Sequence, residues 1–167
     1  MTLLFGFLTP EMDRGGFSCG EPALDTYLQK QAGQDMRRGF ATVVVARESS
    51  RPDAVVGFYT LCAASILLAD LPEDIIRKMP RYPAVPAIRL GRLAVSSAHQ
   101  GQHIGSLLVL DALRRACSNE MAWAAFIVDA KNEKSAAYYE KFLFQRFIEN
   151  RLSLWMHRKQ AEVIVGL

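Results

Sequence analysis

The residues best placed to do chemistry lie between Arg77 and Tyr139. SSAHQGQHIGSLL, residues 96–108, brings Gly101 and Gly105 into a turn that opens an apolar helical pattern. Such a turn can aim several main-chain N–H groups at one point, and the start of a helix adds partial positive charge, a combination that suits a phosphate or diphosphate. Gly101 permits close backbone approach and Gly105 tight helix packing. Neither GxxxxGK[ST] nor GxGxxG is present, which excludes the nucleoside-triphosphatase loop and the dinucleotide fingerprint. No carboxylate falls between Asp74 and Asp111, whereas Arg77, Lys78, Arg81, Arg89, Arg92, His99 and His103 all do. One-signed charge over such a span favours a polyanionic ligand, unless acids elsewhere in the fold neutralise it; composition leaves both readings open. His99 and His103 are four apart but lack a third ligand, so no metal is expected. There is no Cys/His or Ser/His/Asp nucleophile pattern. Glu73, Asp74 and Asp129 are the carboxylates available as a general base, and each reads more simply as a cap or turn residue.

The elements that must position these residues follow from periodicity. The chain has 167 residues, half of them hydrophobic and 22% charged, with net charge +3. These values fit one globular α/β domain spanning residues 1–167. No apolar run approaches the roughly 20 residues of a membrane helix, so no membrane is expected. The opening MTLLFGFLTPEMD lacks a basic region, and Cys19, Cys62 and Cys117 form neither disulfide nor zinc spacing; both point to a reducing cytoplasm. Spaced Leu24, Tyr27 and Leu28 predict an amphipathic helix over 20–38. The β-branched runs 40–46 and 54–61 predict a hairpin turned by RESSRPD. A short helix between Pro72 and Pro80 follows, then a strand over 88–95, a helix over 104–117, a strand over 123–130, a helix over 133–142, and strands over 144–148 and 151–156. The strand–helix–strand unit implies a parallel pair inside a mixed sheet.

Within this frame the turn has a relative. QGQHIG resembles the Q/R-x-x-G-x-G/A signature of the GNAT superfamily of N-acetyltransferases, over Gln100, Gly101, Gln102, Ile104 and Gly105. His103 stands where the signature has its first glycine, and amide donation there is compatible with a side chain if φ is negative. NEKSAAYYEKFLF is similar to the family's N-x-x-x-A-x-x-[FLY]-Y-x-x-x-G-F at Asn132, Ala136, Tyr138, Tyr139 and Phe144, with Leu143 in place of the glycine. The resemblance implies a mixed sheet flanked by helices and acetyl-CoA as cofactor. It places the coenzyme diphosphate on residues 100–105, and the remaining cofactor contacts on Leu93, Ala94, Val95 and Asn132, the strand end bonding the pantetheine arm through its backbone. It also implies Tyr139 as the general acid. A phenol of pKa about 10 lies close enough to a thiol of about 8.5 to protonate the departing sulfur. A site poor in bases suits an α-amine of pKa about 7.7–8.0 better than a lysine at about 10.4.

The resemblance narrows outside these motifs. Phe17, Cys19, Gly20, Leu24, Asp25, Tyr27 and Leu28, with Leu71, Pro72, Pro80, Tyr82, Pro83, Pro86, Leu90, Gly91, Arg92 and Leu93, match the pattern of the GNAT toxins of bacterial type II toxin–antitoxin modules. That likeness implies acetylation of the α-amino group of aminoacyl-tRNA, a block of translation, a ribbon-helix-helix antitoxin partner and a homodimer. Arg77, Lys78, Arg81, Arg89 and Arg92 become the expected tRNA-phosphate contacts, with Arg37 and Arg38 behind them. Arg89 and Arg92, three apart in one strand, are expected on opposite faces, so at most one serves RNA directly. Two other readings remain: an N-acetyltransferase of a small-molecule or protein amine, and a non-catalytic acyl-CoA-binding or co-repressor module. Tyr139 discriminates the second, since a binding module has no need of it.

Overall fold

The computed structural model describes all 167 residues. In chain order the elements are β1 (Leu3–Phe7), α1 (Pro22–Thr26), α2 (Ala32–Arg38), β2 (Thr42–Glu48), β3 (Arg51–Leu67), α3 (Glu73–Ile76), β4 (Ala84–Val95), α4 (Ile104–Cys117), β5 (Ala125–Asp129), α5 (Glu133–Glu140), β6 (Gln145–Arg146), β7 (Ser153–His157) and α6 (Arg158–Val165). The strands form a sheet of order β1-β2-β3-β4-β5-β7-β6. This is the mixed-sheet class expected from the sequence. Backbone contacts divide the chain into two compact units, Met1–Cys62 with Gly91–Ala112, and Ala63–Leu90 with Leu113–Leu167. No helix is long and apolar enough to cross a membrane.

In the first unit β1 and β2 run antiparallel from Leu3↔Glu48 to Phe7↔Val44, and β2 pairs antiparallel with β3. Val43–Ala46 are fully buried, a continuous apolar run covered on both faces. The single helix expected over 20–38 is broken. Between α1 and α2, Tyr27–Gln31 forms a π turn in which Ala32 N–H donates to the Tyr27 carbonyl. The wider turn aligns Tyr27 with Ala32 rather than with exposed Gln31, so Tyr27, Leu28 and Ala32 enter one core with Phe17, Val43 and Phe58. The Phe58 ring meets Phe17 edge-on at 5.6 Å and stacks on Tyr27 at 6.2 Å. The helix then stops at Gly39, whose φ of 76° only glycine adopts cheaply. The hairpin turn is also tighter than RESSRPD suggested: only Ser49 and Ser50 separate β2 from β3, whose first residues include Pro52.

In the second unit β4 and β5 run parallel from Ala87↔Ala125 to Leu90↔Val128, and β7 pairs antiparallel with β5 and with β6. Ile66, Leu71, Val85, Ala87, Ala125, Ile127 and Trp155 form the buried core, with Ile75, Met79 and Phe147 packed against it. The helix over 104–117 has the expected bounds because its apolar stripe is continuous; Ile104, Leu108, Val109, Ala112 and Leu113 are all buried. β1 and α6 had no expected counterpart. β1 is only five residues and interrupted by Gly6, while α6 follows β7 without a connecting loop and buries only Ala161. Neither length nor periodicity marks such elements.

The residue after α5 carries an unusual backbone. Leu143 sits at φ 72°, exposed, with its N–H donating to the Glu140 carbonyl at 3.0 Å. A left-handed L-residue costs about 1–2 kcal/mol, whereas glycine there adds about 0.5–1 kcal/mol of unfolded-chain entropy. Leu143→Gly is therefore expected to leave stability unchanged or raise it by about 1 kcal/mol. Urea denaturation checks this, and a loss of stability would contradict it.

Candidate active site

The end of β4 and the turn after it form one candidate feature, within the first unit. The parallel ladder stops at Leu90↔Val128, but β4 continues to Val95. Arg92 N–H donates to Thr60 Oγ1 on β3 at 3.1 Å, and the Ala94 carbonyl oxygen lies 3.1 Å from where a Cβ on Gly57 of β3 would stand. Alternate residues of a strand direct their main-chain groups to opposite edges. Arg92 and Ala94 therefore serve the β3 side, and Leu93 and Val95 present theirs to the other edge. Ala94, expected among the cofactor contacts, has its backbone turned to the sheet and its side chain buried. Gly57 makes the approach possible: an added Cβ would also meet Leu108 of α4 at 3.0 Å.

The turn is held by side chains rather than by a regular ladder. Gln100 Nε2 donates to the carbonyls of Cys19 (2.9 Å) and Val95 (3.0 Å), and Cys19 N–H donates to Asp25 Oδ1 (2.8 Å). The Gln100 amide, expected as a cofactor contact, is thus committed to shaping the turn. Gln102 Nε2 reaches only the Ala98 carbonyl, at 3.5 Å. Ser96 Oγ and His99 Nδ1 are 2.7 Å apart, and His99 Nε2 is 2.9 Å from Glu48 Oε1. No sequence pattern announced this Ser–His–Glu chain, because Glu48 comes from β2. With Ser96 N–H bonded to the Val56 carbonyl at 2.8 Å, it fastens the turn to the hairpin. The hydrogen bond from His99 is the first cause that holds the Glu48 carboxyl below its ordinary range.

Gly101 has φ 79° and His103 has φ 61°, and Gln100–His103 are exposed. His103 corrects the sequence expectation, which required negative φ there. Its backbone takes the left-handed conformation of the glycine it replaces, while its carbonyl accepts the Leu107 N–H of α4 at 3.2 Å. Left-handed residues next to a helix start make the concave amide cluster that anions occupy. Ile104 is buried and serves as an anchor, leaving only its main chain, like that of Gly105, for a ligand.

A second candidate feature lies in the second unit. Tyr139 on α5 is 6% exposed, with Tyr138 and Phe144 edge-on at 5.7 and 5.9 Å. Burial first, then Tyr138 and the Asp129 carboxylate, push its phenol well above the ordinary tyrosine range. Asn132, expected as a cofactor contact, caps α5 through its Oδ1, which accepts Ser135 N–H at 2.9 Å. Asp129 is not a free base, since Arg89 pairs with it and Ser153 Oγ donates to it at 2.8 Å. Arg89 and Ser153, the two groups bonded to Asp129, line a cavity of about 210 Å³ together with Ile66, Ile127 and Phe147.

The expected tRNA contacts separate accordingly. Arg77 is exposed with a 3.7 Å pair to Glu73, and Lys78 and Arg81 are exposed. Arg89 is tied to Asp129. Arg92 lies over the Tyr27 ring, 3.8 Å from its centroid, while the Tyr27 hydroxyl donates to Asp35 at 3.0 Å and burial pushes its pKa up to about 12. Gln100→Ala is expected to destabilise the protein by about 1–2 kcal/mol, through two missing hydrogen bonds, and to speed amide exchange in residues 96–103. Exchange measured by mass spectrometry that stayed at the parental rate would remove Gln100 from this role.

Residues 11–144 match the profile of the acetyltransferase (GNAT) family. A tRNA-acetylating toxin of Mycobacterium tuberculosis is 36% identical over 156 residues, covering 92% of this chain and 91% of that protein. The solved structure of AtaT complexed with acetyl-methionyl-tRNAfMet superposes with a TM-score of 0.90 at 30% identity, over 98% of this chain and 99% of that one. A tyrosine-to-phenylalanine mutant of AtaT, bound to the C-terminus of the antitoxin AtaR and to acetyl-CoA, gives 0.83 at 25% identity, over 99% of both chains.

Proposed function

This chain belongs to the acetyltransferase (GNAT) family, and we propose that it transfers the acetyl group of acetyl-CoA to the α-amino group of aminoacyl-tRNA and acts as a toxin. The observation that carries this reading is the likeness to a tRNA-acetylating toxin along nearly the whole chain, rather than over the cofactor motif alone. The base-poor site agrees with it. An α-amine of pKa about 7.7–8.0 is already partly neutral at physiological pH, so no carboxylate need remove its proton. Asp129 is bonded to Arg89 and Ser153 and fits the part of a fixed anion.

The cofactor fits the residues present. The left-handed, exposed turn at Gly101 and His103 suits a diphosphate, and the edge at Leu93 and the Val95 N–H, beyond the last β4–β5 pair, suits the amides of a pantetheine arm. When bound, acetyl-CoA supplies an activated acetyl thioester. Val95 N–H is the candidate donor to the oxyanion that forms as the amine adds. Tyr139 Oη is the candidate donor of a proton to the departing sulfur; its raised pKa keeps the phenol protonated at rest and makes the resulting phenolate basic enough to take up the proton that the nitrogen sheds as the amide forms. The cavity beside Arg89 and Ser153 is the candidate seat for the aminoacyl side chain. The acetylated nitrogen is an amide and no longer a nucleophile, so the modified tRNA cannot accept a peptide. This activity places the protein in the cytoplasm, restrained by a DNA-binding antitoxin of the ribbon-helix-helix kind.

Incubation with labelled acetyl-CoA and total charged tRNA, followed by mass spectrometry of the released amino acids, is expected to show N-acetyl-aminoacyl products. Label in protein or in small amines instead would sink the reading. Tyr139→Phe is expected to keep acetyl-CoA affinity and lose at least ~10²-fold in turnover. Undiminished turnover would remove Tyr139 from the mechanism.

A further inference from the structure

A second basic feature lies where α3 and α6 flank the start of β5. Here a groove of about 690 Å³ has Met79 and Trp123 among its apolar walls and Lys78, His157, Arg158 and Lys159 on its rim. Helix α6 is unusual in its first turn. It holds Arg158 and Lys159 and no acid, although the positive end of a helix ordinarily attracts carboxylates. Arg158 is fixed by Glu162 at 2.9 Å and by the Trp123 ring at 5.1 Å, whereas Lys78 and Lys159 are exposed. Burial, and then the Lys78 ammonium, hold the His157 imidazole below its ordinary range, so the two bases of the rim are close enough to repel. Glu162 lines the same groove and offsets Arg158, while exposed Lys78 and Lys159 leave an excess of positive charge that a further anion would relieve.

We propose that this groove is a second RNA-binding site, seating backbone phosphates of the tRNA on Lys78, Lys159 and the first turn of α6; the inference rests on the tRNA reading above. The groove combines apolar walls, Ile75, Met79 and Trp123, with a cationic rim, which suits the sugars and phosphates of a nucleic-acid strand. It extends the basic stretch of α3 and its following loop, Arg77, Lys78 and Arg81, onto a helix at the other end of the sequence. Phosphate contacts of this kind carry affinity and position the acceptor end, and leave the choice of amino acid to other residues.

The test uses the full-length protein with uncharged total tRNA, by fluorescence anisotropy across a salt series, comparing the parent with a Lys78→Glu/Lys159→Glu variant. The variant is expected to bind at least ~10-fold more weakly at about 0.15 M salt, and its slope of log affinity against log salt to fall by about 2, roughly 0.9 for each phosphate no longer neutralised. Acetyl-CoA affinity and the thermal midpoint should stay at the parental values. If the double glutamate variant does not fold, Lys78→Ala/Lys159→Ala takes its place, with a smaller expected drop in the same direction. RNA affinity and salt slope equal to the parent in a folded variant would overturn the proposal. Failure of the tRNA reading itself would appear elsewhere, as the absence of acetyl-aminoacyl products from the unaltered protein.

Discussion

The site depends on where one ladder ends. β4 and β5 are hydrogen-bonded through Leu90↔Val128, and β4 then runs on for five residues with one edge against β3. Main-chain groups left without a partner are expensive when buried, so a fold keeps such an edge only where something else can satisfy it. Leu93 and Val95 supply that edge, and the turn that follows reuses the Val95 carbonyl as an acceptor for Gln100. An extended ligand rich in amides is the natural complement. The rest of the first unit holds the strand end in place, from the close packing at Gly57 to the Ser96–His99–Glu48 chain.

Charge is divided between fixed and free groups in a way that separates structure from recognition. Arg89, Arg92 and Arg158 each have a specific partner: a carboxylate, a tyrosine ring, and a carboxylate with an indole. Arginine suits such positions because its planar group bonds and stacks in defined directions. Lys78, Arg81 and Lys159 are exposed and can follow a polyanion's shape at little cost. Arg146 is likewise fixed, joined to Glu133 at 2.6 Å and to Glu140 at 2.7 Å, the two ends of α5, which carries Tyr139.

Much of this was legible before any coordinates. The helix over 104–117 was readable because its apolar stripe never breaks, and the turn because Gly101 lies within it and Gly105 opens the helix behind it. The π turn at Tyr27–Gln31 was not, since its spacing of apolar residues also fits an ordinary helix. The roles of Gln100 and Asn132 were hidden for a different reason. A motif letter states that a residue matters, not whether it touches a ligand or shapes the backbone that does. Asp129 and Glu48 lie far in sequence from the arginine and histidine they hold, at separations no local pattern reveals. α6, with its cationic first turn, had no signature at all.

His103 and Leu143 stand where the resembling motifs have glycine, and both keep the left-handed backbone. At both positions the bend is kept by the packing and hydrogen bonds around it rather than by a residue that adopts it easily. A pattern that insists on glycine at both positions would miss this chain, whereas a profile that weighs the whole stretch 11–144 matches it.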